Sequence, residues 1–131
     1  MLDREDIHMT EEAEQNPQLE KALMEVAIDS WRLSKLFIRA ISKLDAGDGS
    51  KYASQLRYFQ KRIEESLESG GIRLVNLEGQ PFDAGMAASA LNGGDFGPDD
   101  VLVVDQMVEP IVMGKNGLKR EGTVMLRKVV A

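Results

Sequence analysis

The chain has 131 residues, 43% of them hydrophobic and 29% charged, which suits one globular domain or two small lobes of one fold and leaves no room for a large enzyme core. A net charge of −6 argues against general nucleic-acid binding, which draws its affinity from a broad basic face that neutralises phosphates. The absence of cysteine excludes disulfides and thiolate chemistry and fits a cytoplasmic protein, and no apolar run approaches the roughly 20 residues of a membrane span.

Residues 1–16, "MLDREDIHMTEEAEQN", hold six acids and one base, the opposite of a secretory leader, and are expected to be a disordered acidic arm. His8, the only histidine, falls in that arm without the fixed neighbours that a general base or metal ligand needs. From Pro17 the positions Leu19, Leu23, Val26, Ser30, Leu33, Phe37, Ala40 and Leu44 alternate by four and three, the spacing of a packed helical seam. Asn16 before Pro17 is a good helix start. Ala22, Leu36 and Ile41 widen the seam, while Ile28, Trp31 and Ile38 lie off it, so this helix has more apolar surface than one neighbour covers.

"DAGDGS" at 45–50 is expected to end the first helix, with Ser50 capping a second in which Tyr52, Leu56, Phe59, Ile63 and Leu67 repeat the rhythm up to Gly70-Gly71. A hairpin of helices over 17–71 cannot bury both stripes alone. Two copies would do so as a four-helix bundle, and the residues expected at that homodimer seam are Leu33, Phe37, Ala40, Leu44, Leu56, Phe59 and Ile63. After Gly71 the pattern changes: "IRLVNL", "VLVVDQMV", "PIVM" and "TVMLRKVV" read as short strands, and "KNG" at 115–117 as a hairpin turn. The expected fold class is α+β, with a small antiparallel β lobe over 72–131.

Chemistry is sparse. "DAGDGS" and "GGDFGPDD" lack the alternating oxygen ligands and final glutamate of a calcium loop, "GKNG" lacks the spacing of a phosphate loop, and no serine sits in a nucleophile elbow. The expectation is a protein with no catalytic residues, metal or cofactor. Net acidity hides a local contrast, however. Residues 92–109 hold five acids and no base, whereas 115–128 hold Lys115, Lys119, Arg120, Arg127 and Lys128 against Glu121. Lys119 and Arg120 are equally readable as solvated edge charges and as contacts to an acidic partner.

The order of helix pair, Gly-Gly junction, Gly79-Gln80-Pro81-Phe82-Asp83, a valine-rich strand from Val101 to Gln106 and Arg120-Glu121-Gly122-Thr123-Val124 after an Asn-Gly turn resembles the GrpE family. The similarity covers roughly residues 17–131. The chain departs from the family where Ala84 follows Asp83 and where Val108-Glu109 replaces a Gly-Tyr pair, and the family's long helical stalk before Pro17 is expected to be missing or reduced to the acidic arm. The resemblance implies a homodimeric nucleotide exchange factor for a DnaK-like chaperone ATPase, acting in the cytoplasm with no membrane or nucleic-acid partner. It further implies that Phe82, Ala84, Gln106, Leu118, Lys119 and Arg120 of the lobe, with Gln55 of the second helix, face the chaperone. Two other readings stand beside it: a dimeric adaptor or secretion-type chaperone using the same fold on an unrelated client, and a small-ligand or metal-binding regulator built on the acidic loops.

Overall fold

Asn16 opens the first helix, α1 (Pro17–Ile41), by accepting from the backbone N–H groups of Gln18 and Leu19 at 3.1 and 3.2 Å, two of the donors that a helix start leaves unpaired. The computed structural model describes residues 16–130, so the expected acidic arm before Asn16, with His8, lies outside the described residues. α1 ends at Ile41, three residues before its expected end. The second helix, α2 (Ala46–Ser69), starts earlier than Ser50, because Asp45 caps it by accepting from the Asp48 N–H at 2.8 Å. An aspartate at this point satisfies a free amide and places negative charge against the positive end of the helix dipole, so Gly47 and Gly49 are drawn into the first turn. α2 closes as expected, with Gly71 at φ 79° and the Ile72 N–H on the Leu67 carbonyl at 2.9 Å.

The two helices run antiparallel. A Cβ on Gly70 would approach Leu23 Cδ2 at 2.9 Å, and one on Gly49 would meet Ile41 Cγ2 at 3.8 Å, which aligns the start of α1 with the end of α2 and the reverse. Leu23, Ala27, Ser34 and Ile41 therefore share one side of α1, with Ala27 and Ser34 buried, while Leu56 and Leu67 are the buried residues of α2. Of the expected seam of α1, Leu19, Val26, Leu33, Phe37 and Leu44 remain exposed. The side that meets α2 is the neighbouring one.

From Leu74 the chain forms a separate unit of two three-stranded sheets. Its strands are β1 (Arg73–Val75), β2 (Ala88–Ala90), β3 (Leu102–Glu109), β4 (Ile111–Gly114), β5 (Gly117–Arg120) and β6 (Gly122–Lys128), with one short 3₁₀ turn at Gly93–Asp95. One sheet has the order β1-β4-β5 and the other β2-β6-β3. The second is mixed, because β2 runs parallel to β6, pairing Ala88 with Gly122 and Ala90 with Val124, while β3 runs antiparallel to it. That corrects the expectation of a purely antiparallel lobe. β2 escapes a reading by composition because Ala-Ser-Ala has no strand propensity, and its pairing comes from a strand more than thirty residues away.

Two register shifts interrupt β3 against β6, between Val104 and Gln106 and between Met107 and Glu109. The first leaves Asp105 without an opposite residue, so Asp105 and Gln106 both face solvent where strict alternation would bury one. At the Lys115-Asn116 turn only Gly117 takes a positive φ, 124°, and no residue other than glycine does so anywhere among the described residues. The Asn-Gly pair thus makes the hairpin through its glycine alone. The lobe core is Leu77, Val103, Val104, Met107, Ile111, Val112, Val124 and Leu126. Gly122 is needed inside it, since a Cβ there would stand 2.6 Å from Met107 Cε and 3.0 Å from the Glu109 carbonyl.

Two side chains complete the ladders. Asn92 accepts from the Leu126 N–H and donates to the Leu126 carbonyl, both at 2.8 Å, so its amide extends β2 along β6 as a backbone unit would. Glu78 accepts from the Met107 N–H at 3.0 Å where β3 is bulged. Replacing Asn92 by alanine strands both polar groups of Leu126 in a partly buried place. We expect a stability loss of about 1–3 kcal/mol by urea denaturation with an unchanged denaturant slope. An unaltered midpoint would show that solvent replaces the amide without cost.

Candidate partner-binding surfaces

The helical unit has an open apolar cleft of about 400 Å³ lined by Leu33, Ser34 and Phe37 of α1 and by Gln55, Leu56 and Phe59 of α2. Helical spacing explains it. Leu33 and Phe37 are one turn apart on α1, Gln55 and Phe59 one turn apart on α2, and the antiparallel alignment sets the two pairs opposite each other. At its edge Phe37 and Tyr52 meet edge to face, ring centres 6.5 Å apart. Leu33 is 57% exposed, Leu44 44%, Phe59 39% and Phe37 37%. Ala40 is exposed as well. Leu56 and Ile63 lie further in, buried and half-buried within the hairpin. Of the residues expected at a dimer seam, Leu33, Phe37, Leu56 and Phe59 line this cleft, and Ala40, Leu44 and Ile63 do not. Gln55, expected from the resemblance to meet a chaperone, is part of this cleft.

The remaining expected contact residues lie on the lobe. Gly79 donates to the Val104 carbonyl, Val104 donates to that of Gln80, and Phe82 donates to that of Leu102, each at 2.9 Å, with Pro81 opposite Val103. The Gly-Gln-Pro-Phe-Asp block is therefore a strap along the outer edge of β3, and Pro81, which has no N–H, sits where the ladder asks for none. Beyond it Asp83 folds a tight turn, its carboxylate accepting from the Gly85 N–H and its own N–H donating to the Met86 sulfur at 3.4 Å. Phe82 is half-buried and Ala84 exposed in that turn.

Arg120 lies near the other end of β3, where its guanidinium donates to Glu109 Oε2 at 3.2 Å. Lys119 is exposed, and its aliphatic stem crosses Gly114, whose added Cβ would stand 2.6 Å from Lys119 Cε. Leu118 is 46% exposed beside it on β5, an edge strand. Leu102 and Glu109 are seven residues apart on one strand, roughly 23 Å at about 3.3 Å per residue. Phe82 and Arg120 thus mark opposite ends of β3 rather than one spot, with exposed Gln106 between them. Sequence order could not reveal this, because it depends on which end of β3 each segment returns to.

Two acids of the candidate ligand loops have structural partners. Asp45 caps α2, and Asp100 accepts from the Gly97 N–H at 2.8 Å and pairs with Lys128 at 3.1 Å. No group of three or more metal-binding side chains occurs among the described residues, and none of their helices is long and apolar enough to cross a membrane. No protein-family model matches the chain, and neither the curated proteins nor the solved structures yield a relative. A feature that the heptad reading passes over is the distribution of bases on the hairpin, since a search for apolar periodicity ignores them: four fall in residues 32–43 and four in 51–62, with no acid in either stretch.

The hydrogen bond from Gly97, and then Lys128, hold the Asp100 carboxyl below its usual 3.8. A lowered folded value means that the charged form stabilises the fold at all pH values above the ordinary one, and that this contribution fades as pH falls through the lower one. Asp100→Asn should therefore lower stability at neutral pH and lose less on acidification between about pH 5 and about pH 2, followed by thermal melts. Parallel melting curves for the two proteins across that range would remove Asp100 from the acid response.

Proposed function

We propose that the chain is a GrpE-like co-chaperone, a homodimer that accelerates ADP release from a DnaK-like ATPase by binding the open form of its nucleotide domain. The observation that carries this reading is the convergence of the three blocks behind the resemblance. The Gly79–Asp83 block straps β3, the Val101–Gln106 block is β3 itself, and Gly122–Val124 pairs with β2 and with the far half of β3. Segments more than fifteen residues apart in sequence lie along β3, with an apolar end at Phe82 and a cationic end at Lys119. The element order, a helix pair followed by the lobe, accords with the same reading.

The mechanism needs no covalent chemistry. A partner that binds the open nucleotide domain more tightly than the closed, ADP-holding one must weaken ADP binding by the same factor. The roughly 23 Å between the two ends of β3 fits within one standard interface of about 800 Å² per partner. Lys119 would attract an acidic domain, and Phe82 would supply apolar contact. The apolar cleft of the hairpin supplies the dimer, burying Leu33, Phe37 and Phe59 against a second copy in a four-helix bundle.

Two experiments test these parts separately. Leu33→Asp with Phe37→Asp should turn dimers into monomers in light scattering, because each places a charge in the proposed seam at a cost of several kcal/mol. A wild-type monomer at micromolar concentration would overturn the dimer. Exchange is measured as release of fluorescent ADP from the cognate ATPase in stopped flow. Lys119→Glu and Phe82→Ala should each weaken the complex by about 1–3 kcal/mol with the fold retained. If wild-type protein does not accelerate release from a verified partner, exchange is wrong and the dimeric adaptor becomes the better account.

A further inference from the structure

An asparagine loses its side-chain amide when the backbone nitrogen of the next residue attacks its carbonyl carbon, because the two groups are held together in one chain and close a five-membered ring. The attack needs an N–H, little bulk on that next residue and an amide free to turn. The chain has four asparagines, Asn16, Asn76, Asn92 and Asn116, and the structure separates them. Asn16 is followed by Pro17, which has no N–H, and its amide oxygen caps α1. Asn76 is followed by the buried, branched Leu77, and its amide oxygen accepts from the Glu78 N–H at 2.9 Å. Asn92 precedes Gly93, the least bulky neighbour, but its amide is fastened at both ends to Leu126, each bond 2.8 Å long. Asn116 also precedes a glycine. It is exposed in the two-residue turn between β4 and β5, and among the described residues no such anchor holds its amide. Where a Cβ of Gly117 would stand, nothing lies within 4 Å, so that side of the glycine is uncrowded.

We propose that Asn116 is a site of spontaneous deamidation, chosen over the chain's other Asn-Gly pair by the fold. The Gly117 N–H gives its proton to hydroxide, and the nitrogen forms a bond to the Asn116 side-chain carbonyl carbon. The bond from that carbon to the amide nitrogen breaks, the leaving group takes a proton from water, and ammonia departs from a cyclic imide. Water then opens the ring. Addition at the former side-chain carbonyl gives aspartate, and addition at the backbone carbonyl gives isoaspartate, so the sum is one water consumed and one ammonia released. Either product puts a carboxylate into residues 115–120, a stretch with Lys115, Lys119 and Arg120 and no acid. Isoaspartate also adds a methylene to the backbone of the turn, against the Gly114–Gly117 pairing that closes the hairpin register. The turn thereby records the age of the molecule as one added negative charge. This inference goes beyond the exchange reading, since it uses neither the ATPase nor a second copy.

The test is a time course on the full-length folded protein at mildly alkaline pH, read by peptide mass spectrometry and by enzymatic methylation of isoaspartate. The Asn116 peptide should convert roughly tenfold faster than the Asn92 peptide, because Asn92 must first give up two hydrogen bonds. Its rate should rise with hydroxide concentration. In urea the two Asn-Gly pairs should convert at similar rates, since the anchor on Asn92 is then gone. Asn116→Gln, an exposed change whose ring closure would need a larger ring, should leave the folded chain without the new acidic species on ion exchange. An Asn116 peptide still intact when both pairs of the unfolded chain have converted would overturn the proposal. So would conversion of Asn92 in the folded chain as fast as Asn116, or an acidic species that persists in Asn116→Gln.

Discussion

The constraint on which the helical unit depends is that α1 is apolar on more sides than α2 can cover. α2 lies along the side with Leu23, Ala27 and Ile41, and its own buried residues are Leu56 and Leu67. Leu19, Val26, Leu33, Phe37 and Leu44 are left exposed on the adjacent side, where Leu33 and Phe37 face Phe59 across a cleft and Phe37 meets Tyr52. Scattered exposed apolar residues would mean little, but a continuous face with a cleft in it is how a surface for another macromolecule looks. Small size sharpens the point. A hairpin with two buried residues on α2 has little core of its own, so whatever covers the open side adds substantially to its stability.

In the lobe, β6 has the corresponding role. It is the middle strand of the mixed sheet, holding β2 on one side and β3 on the other, and Asn92 fastens the chain after β2 to it by both polar groups of Leu126. β3 in turn receives the Gly79–Phe82 strap on its outer edge. That strap both closes an edge that would otherwise be open to pairing and presents Phe82 at a fixed place. One set of backbone hydrogen bonds thus serves the fold and the proposed surface.

Much of this is legible in the residues themselves, and the failures have physical causes. α1 and its cap follow from Asn16-Pro17 and the apolar spacing, and β3, β4 and β6 from runs of valine, isoleucine and leucine. Glycines at 47 and 49 speak for a turn and point to Ser50 as the start of α2, whereas the Asp45 carboxylate and the helix dipole outweigh them. β2 and the bulge at Asp105 are set by partners distant in sequence. Among the candidate contact residues, the heptad pointed to Leu33, Phe37 and Phe59, which do share a face. Spacing gave no hint that Gln55 joins them, or that Phe82 and Arg120 stand at opposite ends of β3, because both facts belong to the antiparallel turns of the chain.

The central place of β6 bears on how the protein is made. The hairpin's contacts lie between neighbours in the chain, so it is free to form as soon as Gly71 has left the ribosome, and local contacts of this kind assemble quickly. The lobe has no such freedom. Its earlier strands, β2 and β3, have no partner in their sheet until Gly122–Lys128 has been synthesised, and the parallel β2–β6 pair closes a loop of more than thirty residues. A ribosome stalled or a message cut before Gly122 would therefore release a finished hairpin attached to a mixed sheet that lacks its middle strand.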